Sequence, residues 1–281
     1  MTTTPTSTSR AGRNLPVAIG VGLALGALII VSHFWQKWLF LVVATVAVCI
    51  GAWEVIQAMR PVGIRVPALP VVLGTAGMLT AAYVAGEEAL FVAFVLTAVL
   101  VLVWRGSEGT GAAARDIGAG MFLSAYPGLL AGFAMLLLAA PDGQWRSFTF
   151  LCVTVASDVG GYAVGVLGGR HPMAPSISPK KSWEGFAGSV VACVLVGMLC
   201  VTQGLHGPWW AGVVLGLLAA PASTLGDLCE SALKRNLGVK DMSHILPGHG
   251  GLMDRLDSLL VDAPVVWAVL ALLVPVVPAV R

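Results

Sequence analysis

FLCVTVASDVGGYAVGVLGG, residues 150–169, is long enough and apolar enough to cross a membrane as a single α-helix. An α-helix rises about 1.5 Å per residue, so about 20 apolar residues span the hydrocarbon core of a bilayer. The charged residue in this stretch is Asp158, near its centre. A carboxylate at that depth costs about 2.5–3.5 kcal/mol and usually faces the protein interior with a partner. We therefore expect a functional role for Asp158, with an interhelical packing bond as the alternative.

Three glycines, Gly161, Gly165 and Gly169, recur at every fourth position in the second half of the same stretch. Small residues at this spacing allow two helices in a membrane to approach closely. A glycine-rich loop that binds phosphate is the alternative. Close packing against a neighbouring helix is the favoured interpretation because the glycines lie on one predicted helix.

The composition of the whole chain extends this prediction beyond one helix. Of 281 residues, 57% are hydrophobic and 11% are charged, whereas about 25% are charged in a soluble domain. Open sheet edges are excluded at membrane depth because lipid offers them no hydrogen-bond partners. Five cysteines without CxxC spacing are interpreted as buried hydrophobic residues rather than a zinc site. The predicted fold class is an all-α, polytopic integral membrane protein, and a net charge of +2 gives no reason to expect a nucleic-acid partner.

Apolar windows predict about nine transmembrane helices. Their predicted bounds are 16–34, 38–58, 67–85, 88–104, 117–139, 147–167, 186–204, 209–229 and 259–280. With the N-terminus in the cytoplasm, every basic residue except Lys37, Arg146 and Arg281 falls on the cytoplasmic side. Lys and Arg are enriched in cytoplasmic loops, so this distribution favours that orientation. We expect a multi-pass protein of the plasma membrane.

The polar residues divide the chain into three parts. Residues 1–15 are rich in Thr and Ser, which predicts a disordered cytoplasmic tail. Residues 16–145 have short loops and predict an N-terminal scaffold of spans 1–5. Residues 146–281 contain spans 6–9 and the two long polar loops, Gly168–Gly185 and Glu230–Asp257. We therefore expect the catalytic region in the third part.

The first polar loop contains SPKKSWEG, residues 178–185. Its Ser178, Lys180 and Lys181 provide a hydroxyl and two point charges that suit phosphate groups. Lysines in a cytoplasmic loop also serve as topology signals or contact anionic lipid. This motif alone does not distinguish the two functions.

The second polar loop lies within GDLCESALKRNLGVKDMSHILPGHGGLMDRLDS, residues 226–258. Asp227 and Glu230 are three residues apart and therefore share a helix face, which Ser231 and Lys234 continue. Carboxylate oxygens are the ligands that Mg²⁺ prefers, together with water and substrate phosphates.

Asp254 and Asp257 repeat the three-residue spacing after His249-Gly250-Gly251. Two glycines before a helix start leave backbone N–H groups available, which predicts an anion site. Carboxylates, basic residues and a glycine turn together are typical of phosphoryl or nucleotidyl transfer, because charge develops on phosphate oxygens during that reaction. The alternative is a solvated loop of mixed charge.

Residues Ser231 to Asp257 resemble the signature of the phosphatidate cytidylyltransferase family. The signature requires small, apolar, basic, acidic and glycine residues at fixed positions, and this sequence has all of them. They are Ser231, Leu233, Lys234, Arg235, Lys240, Asp241, Ser243, Leu246, Pro247, His249, Gly250, Gly251, Asp254, Arg255 and Asp257. The Asp158–Tyr162 stretch and SPKKSWEG are also similar to the family, so the resemblance covers about residues 150–265.

The resemblance implies transfer of the cytidylyl group of CTP to phosphatidate, forming CDP-diacylglycerol and pyrophosphate. It also implies a homodimer among membrane lipids, with the active site facing the cytoplasm. The implied cofactor is Mg²⁺ or Mn²⁺, with a second monovalent cation such as K⁺.

The family's roles, carried over to this sequence, fall on three groups of residues. The implied catalytic residues are Asp227, Lys234, Asp254 and Arg255. The implied metal ligands are Asp227, Asp254 and Asp257. The implied substrate-binding residues are Asp158, Ser178, Lys180, Lys181, Ser231, Lys234, Arg235, Lys240, His249, Gly250 and Gly251.

Two other functions are weighed against this one. A CTP-dependent polyprenol or phytol kinase would transfer the γ-phosphoryl group and leave CDP. An ion or phosphate transporter would require acidic residues near mid-membrane in several spans, and many transporters also contain internal repeats. The complete signature, and the position of Asp227, Asp254 and Asp257 beside predicted cytoplasmic span ends, favour the cytidylyltransferase.

Overall fold

A computed structural model describes residues 15–109, 111–246 and 250–276. The predicted tail lies outside the described residues except for Leu15, and His249 and Arg281 also lie outside them. The described helices are α1 Leu15–Trp35, α2 Lys37–Met59, α3 Ala68–Ser107, α4 Ala113–Leu123, α5 Leu130–Ala139, α6 Gly143–Gly168, α7 Trp183–Leu199, α8 Trp209–Leu237 and α9 Met253–Leu273. Strands β1 Pro172–Ala174 and β2 Ser178–Ser182 pair antiparallel between α6 and α7. Short π-helical segments, Ser124–Leu129 and Cys200–Gly204, join α4 to α5 and extend α7.

Seven helical segments within the described ranges are long and apolar enough to cross a membrane. They are Lys37–Met59, Ala68–Ser107, Ala113–Ala139, Gly143–Gly168, Trp183–Gly204, Trp209–Leu237 and Met253–Leu273. A shorter apolar helix covers Gly20–Trp35. The prediction of a polytopic, all-α membrane protein is confirmed at this level.

Helix α3 folds back on itself at Gly86, where the backbone is not helical. The backbone of Gly86 has φ 83° and ψ −164°, a conformation that glycine adopts without steric cost. A β-carbon at Gly74 would overlap the side chain of Thr97, so the two halves of α3 run side by side. A straight helix of 40 residues would be about 60 Å long, twice the thickness of a hydrocarbon core. The two halves correspond to the predicted spans 67–85 and 88–104.

Buried and half-buried polar contacts join the helices near both ends of α2. Beyond its C-terminal end, Asp116 accepts hydrogen bonds from the Arg65 N–H at 3.0 Å and from Arg105 Nε at 2.9 Å. Because Arg65 precedes α3 and Arg105 lies in its last turn, both ends of α3 lie at the same end of the bundle. At the opposite end of α2, Lys37 Nζ donates to the carbonyl of Ala140 at 2.5 Å.

Helices α6 and α7 pack closely through small residues. A β-carbon at Gly161 would lie 2.5 Å from Ser189 Oγ, and one at Gly165 would lie 3.7 Å from the Gly185 Cα. The Ser189 hydroxyl also donates to the carbonyl of Ser157 at 2.7 Å. The close-packing interpretation of the α6 glycines is therefore confirmed.

On the polar side of the bundle, the helices extend further than the spans predicted for them. Helix α8 extends to Leu237, eight residues beyond the predicted end at 229, and its C-cap is Gly238, whose φ is 71°. Helix α7 begins at Trp183, and Ser182 caps it by accepting the Gly185 N–H at 3.1 Å. Helix α9 begins at Met253 instead of 259. The predicted spans stopped where apolar residues stopped, whereas the helices continue through polar turns and the first polar loop forms the β-hairpin.

Candidate active site

Asp227 lies where α8, α9 and strand β2 meet. Helices α8 and α9 cross closely at Gly226, where a β-carbon would lie 2.9 Å from the Ser258 Cα. This crossing allows the Ser258 hydroxyl to donate to Asp227 Oδ1 at 2.6 Å. The other oxygen, Oδ2, is ion-paired with Lys181 Nζ from β2. Asp227 therefore links the first polar loop, through Lys181, to α9, through Ser258.

Lys234 lies between two buried carboxylates. Its Nζ is 2.5 Å from Glu230 Oε2 and 2.8 Å from Asp254 Oδ1. The side chains of Glu230, Asp254 and Lys234 are 1%, 5% and 17% exposed. Two carboxylates this close repel each other unless a cation lies between them, so the ammonium group of Lys234 stabilises both.

The start of α9 is held by carboxylates of the protein itself. The N–H groups of residues 250–253 donate as follows: Gly250 to the Leu246 carbonyl, Gly251 to Asp254 Oδ2, Leu252 to Glu54 Oε1 and Met253 to Glu54 Oε2. Negative groups are stabilised at a helix N-terminus by the helix dipole. The anions at the predicted site are thus Glu54 and Asp254, and substrate binding by Gly250 and Gly251 stays a prediction.

Two polar cavities flank strand β2. One, of about 320 Å³, is lined by Asp158, Ser178, Lys180, Lys181 and Asp227, among others. The second, of about 210 Å³, is lined by Ser178, Lys180, Ser231, Lys234, Arg235 and Lys240. Ser178 and Lys180 line both cavities. The structure therefore brings together the basic residues of the two polar loops, which are separated by about 50 residues of chain.

An apolar groove of about 740 Å³ adjoins the first cavity. It is lined by residues of α1, α6, α7 and α9, and Asp158, Arg255 and Ser258 are among its polar residues. Its lining also includes Phe34 and Phe148, whose rings pack 5.4 Å apart. Asp158 lines both the groove and the first polar cavity, so the two spaces meet at this carboxylate.

This combination of a basic polar pocket and an apolar groove agrees with the sequence comparisons. The family model described as the Cytidylyltransferase family matches residues 16–273. The chain belongs to the cytidylyltransferase family.

Three similar proteins from other organisms are named phosphatidate cytidylyltransferase. A phosphatidate cytidylyltransferase of Mycobacterium leprae is 41% identical and covers 95% of this chain and 91% of its own length. One from Mycobacterium bovis is 39% identical over 95% of this chain and 92% of its own length. One from Synechocystis is 32% identical over 94% and 97% of the two chains. The family resemblance inferred from the signature is confirmed.

The cytidylyltransferase resemblance implies a divalent cation, for which this chain offers carboxylate oxygens. These are the hard ligands that suit Mg²⁺. Among residues 15–109, 111–246 and 250–276, no three His, Cys, Asp or Glu side chains converge as a metal site. Asp227 and Asp254 are each paired with a lysine, and Asp257 Oδ1 accepts the Ser258 N–H at 2.9 Å. The ligand set Asp227, Asp254 and Asp257 has suitable chemistry and stays a prediction.

Besides Asp116, two further buried acids of this family member were not predicted from the sequence. Glu54 contacts the start of α9 from α2, within the part interpreted as scaffold. Asp262, fully buried in α9, accepts a hydrogen bond from Thr154 Oγ1 of α6 at 2.7 Å. Both lie within four residues of an end of a predicted apolar span, whereas the rule that identified Asp158 concerns a carboxylate near the centre of a span.

Proposed function

We propose that this chain transfers the cytidylyl group of CTP to phosphatidate, forming CDP-diacylglycerol and releasing pyrophosphate. The observation that carries the proposal is that Asp158 lines both the first polar cavity and the apolar groove. A triphosphate requires fixed cations, and a lipid substrate requires an apolar surface continuous with the membrane. The names of the relatives point to the same two substrates.

The nucleotide is proposed to occupy the cavities on either side of β2. Lys180, Arg235 and Lys240 are exposed there, so their charges are available to the phosphates of CTP. Arg235 Nε also donates to the Ile177 carbonyl at 3.4 Å, which ties α8 to the β-hairpin. Ser178 and Ser231 add hydroxyl donors to the same cavity.

The lipid is proposed to enter from the groove. Its phosphate group would lie at the polar residues Arg255 and Ser258, and its acyl chains would follow the apolar lining beside Phe34 and Phe148. Burial of apolar surface contributes about 25 cal/mol per Å², so the groove favours a lipid over a water-soluble acceptor.

The proposed reaction needs no proton removal, because the phosphate group of phosphatidate is already anionic. One of its oxygens forms a bond to the α-phosphorus of CTP, and the bond from the α-phosphorus to the bridging oxygen breaks. The electron pair leaves with pyrophosphate. Lys181 and Lys234, held in place by Asp227 and Asp254, supply positive charge where negative charge increases. Mg²⁺ or Mn²⁺ held by Asp227, Asp254 and Asp257, with a monovalent cation such as K⁺, would add to this charge.

We further propose nine membrane crossings, with the N-terminus and the active site on the cytoplasmic side of the plasma membrane. The reversal of α3 at Gly86 supports counting it as two crossings, and the apolar helix α1 adds another. The distribution of basic residues supports the orientation. A homodimer is proposed from the family resemblance alone.

A labelled-product assay tests this function. Purified protein receives CTP labelled at the α- or the γ-phosphate, with phosphatidate or a polyprenol as acceptor. We expect α-label in the lipid, γ-label in pyrophosphate, and no product without phosphatidate. γ-Label in a lipid, with CDP as the second product, would show a lipid kinase instead.

A matched pair of variants tests the position of the nucleotide. Lys180 and Arg170 are both exposed basic residues of the β-hairpin region, but only Lys180 is among the residues lining the cavities beside β2. We expect Lys180→Gln to lower kcat/KM for CTP by at least about tenfold, the effect of losing a charge-assisted contact, and Arg170→Gln to have little effect. Equal effects of the two substitutions would contradict this placement.

A further inference from the structure

Glu54 connects α2 to the segment that begins α9. Its side chain is buried, with the residue 2% exposed, and it accepts three hydrogen bonds. The donors are Ser243 Oγ at 2.5 Å, the Leu252 N–H at 3.0 Å and the Met253 N–H at 2.8 Å. All three belong to the polar loop or the helix start after it, and Met253 is 199 residues from Glu54 along the chain.

Two glycines near this contact show that α2 and the start of α9 pack closely together. One turn before Glu54, a β-carbon at Gly51 would lie 3.4 Å from Met253 Sδ, so α9 begins directly against α2. A β-carbon at Gly251 would lie 2.8 Å from Glu54 Oε2 and 2.9 Å from Asp254 Oδ2. Both carboxylates therefore lie against Gly251, which leaves no room for a side chain there.

We infer that Glu54 is a positioning residue for the reaction, acting through Asp254 and Lys234. Glu54 fixes the first turn of α9, and Asp254 lies in that turn. Asp254 in turn holds the ammonium group of Lys234 at 2.8 Å, beside the cavity proposed for CTP. The claim that Glu54 affects the reaction rests on the proposed function. The claim that Glu54 anchors the start of α9 rests on its hydrogen bonds alone.

A carboxylate is the suitable group at this position. Both of its oxygens accept, and the three neighbouring groups are donors. Glutamine has nearly the same shape but would turn an NH₂ group toward one of these donors. Glu54→Gln therefore removes an acceptor and the charge at the helix start while leaving the side-chain volume almost unchanged.

The test compares Glu54→Gln and Ser243→Ala with Glu88→Gln. Glu88 is an exposed acid of α3 and serves as the matched control. Hydrogen–deuterium exchange is measured on the protein without substrates, so the anchoring is tested independently of activity. We expect exchange at the Leu252 and Met253 amides to be at least about tenfold faster in Glu54→Gln, since charge-assisted hydrogen bonds protect them. The second half of α9 should exchange as in the wild type.

Kinetics test the catalytic part of the inference. We expect kcat per folded Glu54→Gln protein to fall at least about tenfold, with KM for CTP little changed, because small displacements of charged groups reduce rate more than binding. The half-saturating Mg²⁺ concentration should rise. Ser243→Ala should lower kcat severalfold in the same way, and Glu88→Gln should match the wild type in both measurements.

The outcomes separate positioning from stability. Faster exchange with an unchanged kcat and Mg²⁺ dependence would mean that Glu54 only stabilises the helix start, and would overturn the inference. If Glu54→Gln does not fold, Ser243→Ala decides, and wild-type exchange and kcat in that variant would also overturn it. A wild-type protein that makes no CDP-diacylglycerol would refute the proposed function, while the exchange result would still test the anchor.

Discussion

Replacing Lys234 with methionine removes the ammonium group that lies between Glu230 and Asp254. Methionine retains much of the apolar stem, so the change is mainly the loss of charge. The two carboxylates, 1% and 5% exposed, then face each other without the cation that separated them. Breaking a buried ion pair by removing one partner costs about 3–5 kcal/mol. At about 2–4 °C per kcal/mol, the melting temperature should fall by about 6–20 °C.

The assay is thermal unfolding of the purified protein, with two controls. Lys240→Met removes an exposed lysine from the cavity that Lys234 also lines, and it should change the free energy of unfolding by less than about 0.5 kcal/mol. Lys234→Met combined with Glu230→Gln removes one of the opposing charges and should recover much of the lost stability. Both Lys234 variants should be inactive, because each lacks the positive charge beside the CTP cavity. A single variant that melts within about 2 °C of the wild type, or a double variant no more stable than the single, would refute this account of the charge cluster.

Three further predictions concern the metal, Asp254 and the orientation. EDTA should abolish activity and Mg²⁺ or Mn²⁺ should restore it; full turnover in chelator-treated buffer would contradict a metal requirement. Asp254→Asn should lower the rate of pyrophosphate release at least about a hundredfold, and retention of a tenth of the rate would exclude Asp254 as a metal ligand. The same variant should lose about 1.5–3 kcal/mol of stability, measured by thermal unfolding, because Asp254 Oδ1 and Oδ2 accept from Lys234 and Gly251. In a cysteine-free background, a cysteine at the C-terminus should react with an impermeant reagent outside intact cells and one at position 240 should not; reversed labelling would contradict the orientation.

Much of the helical arrangement could be predicted because apolar length and charge are local properties of the sequence. The predicted pair of spans around Gly86 matches the two halves of α3. The three-residue spacing of Asp227 and Glu230 placed both on one face of α8, and Asp254 does lie in the first turn of α9. Helix periodicity and turn chemistry are sufficient for such inferences.

The remaining features depend on which helices pack together, and that is not a local property. The sequence shows that Glu54 is an acid inside an apolar span, but not that its oxygens meet the amides of Leu252 and Met253. Residues of α1 line the groove beside Asp158. The apolar sequence of α1 does not show which of its residues face lipid and which face a neighbouring helix. The lysine partners of Asp227 and Asp254 also depend on how β2, α8 and α9 pack together, because the sequence alone allows several pairings of these carboxylates and lysines.

The contact between Glu54 and Met253 also has a consequence for the order in which the protein is made. Helix α2 enters the membrane during synthesis before the ribosome has reached α9, 199 residues later. Until Ser243, Leu252 and Met253 have been made, the carboxylate of Glu54 lacks donors that it meets in the folded chain. Joining distant segments is not prohibitive, because each doubling of the intervening length costs only about 0.6 kcal/mol. The charge cluster around Asp254 is therefore completed only after α9 has been made and has packed against α2. A chain released before α9 would carry Lys234 without its partner Asp254.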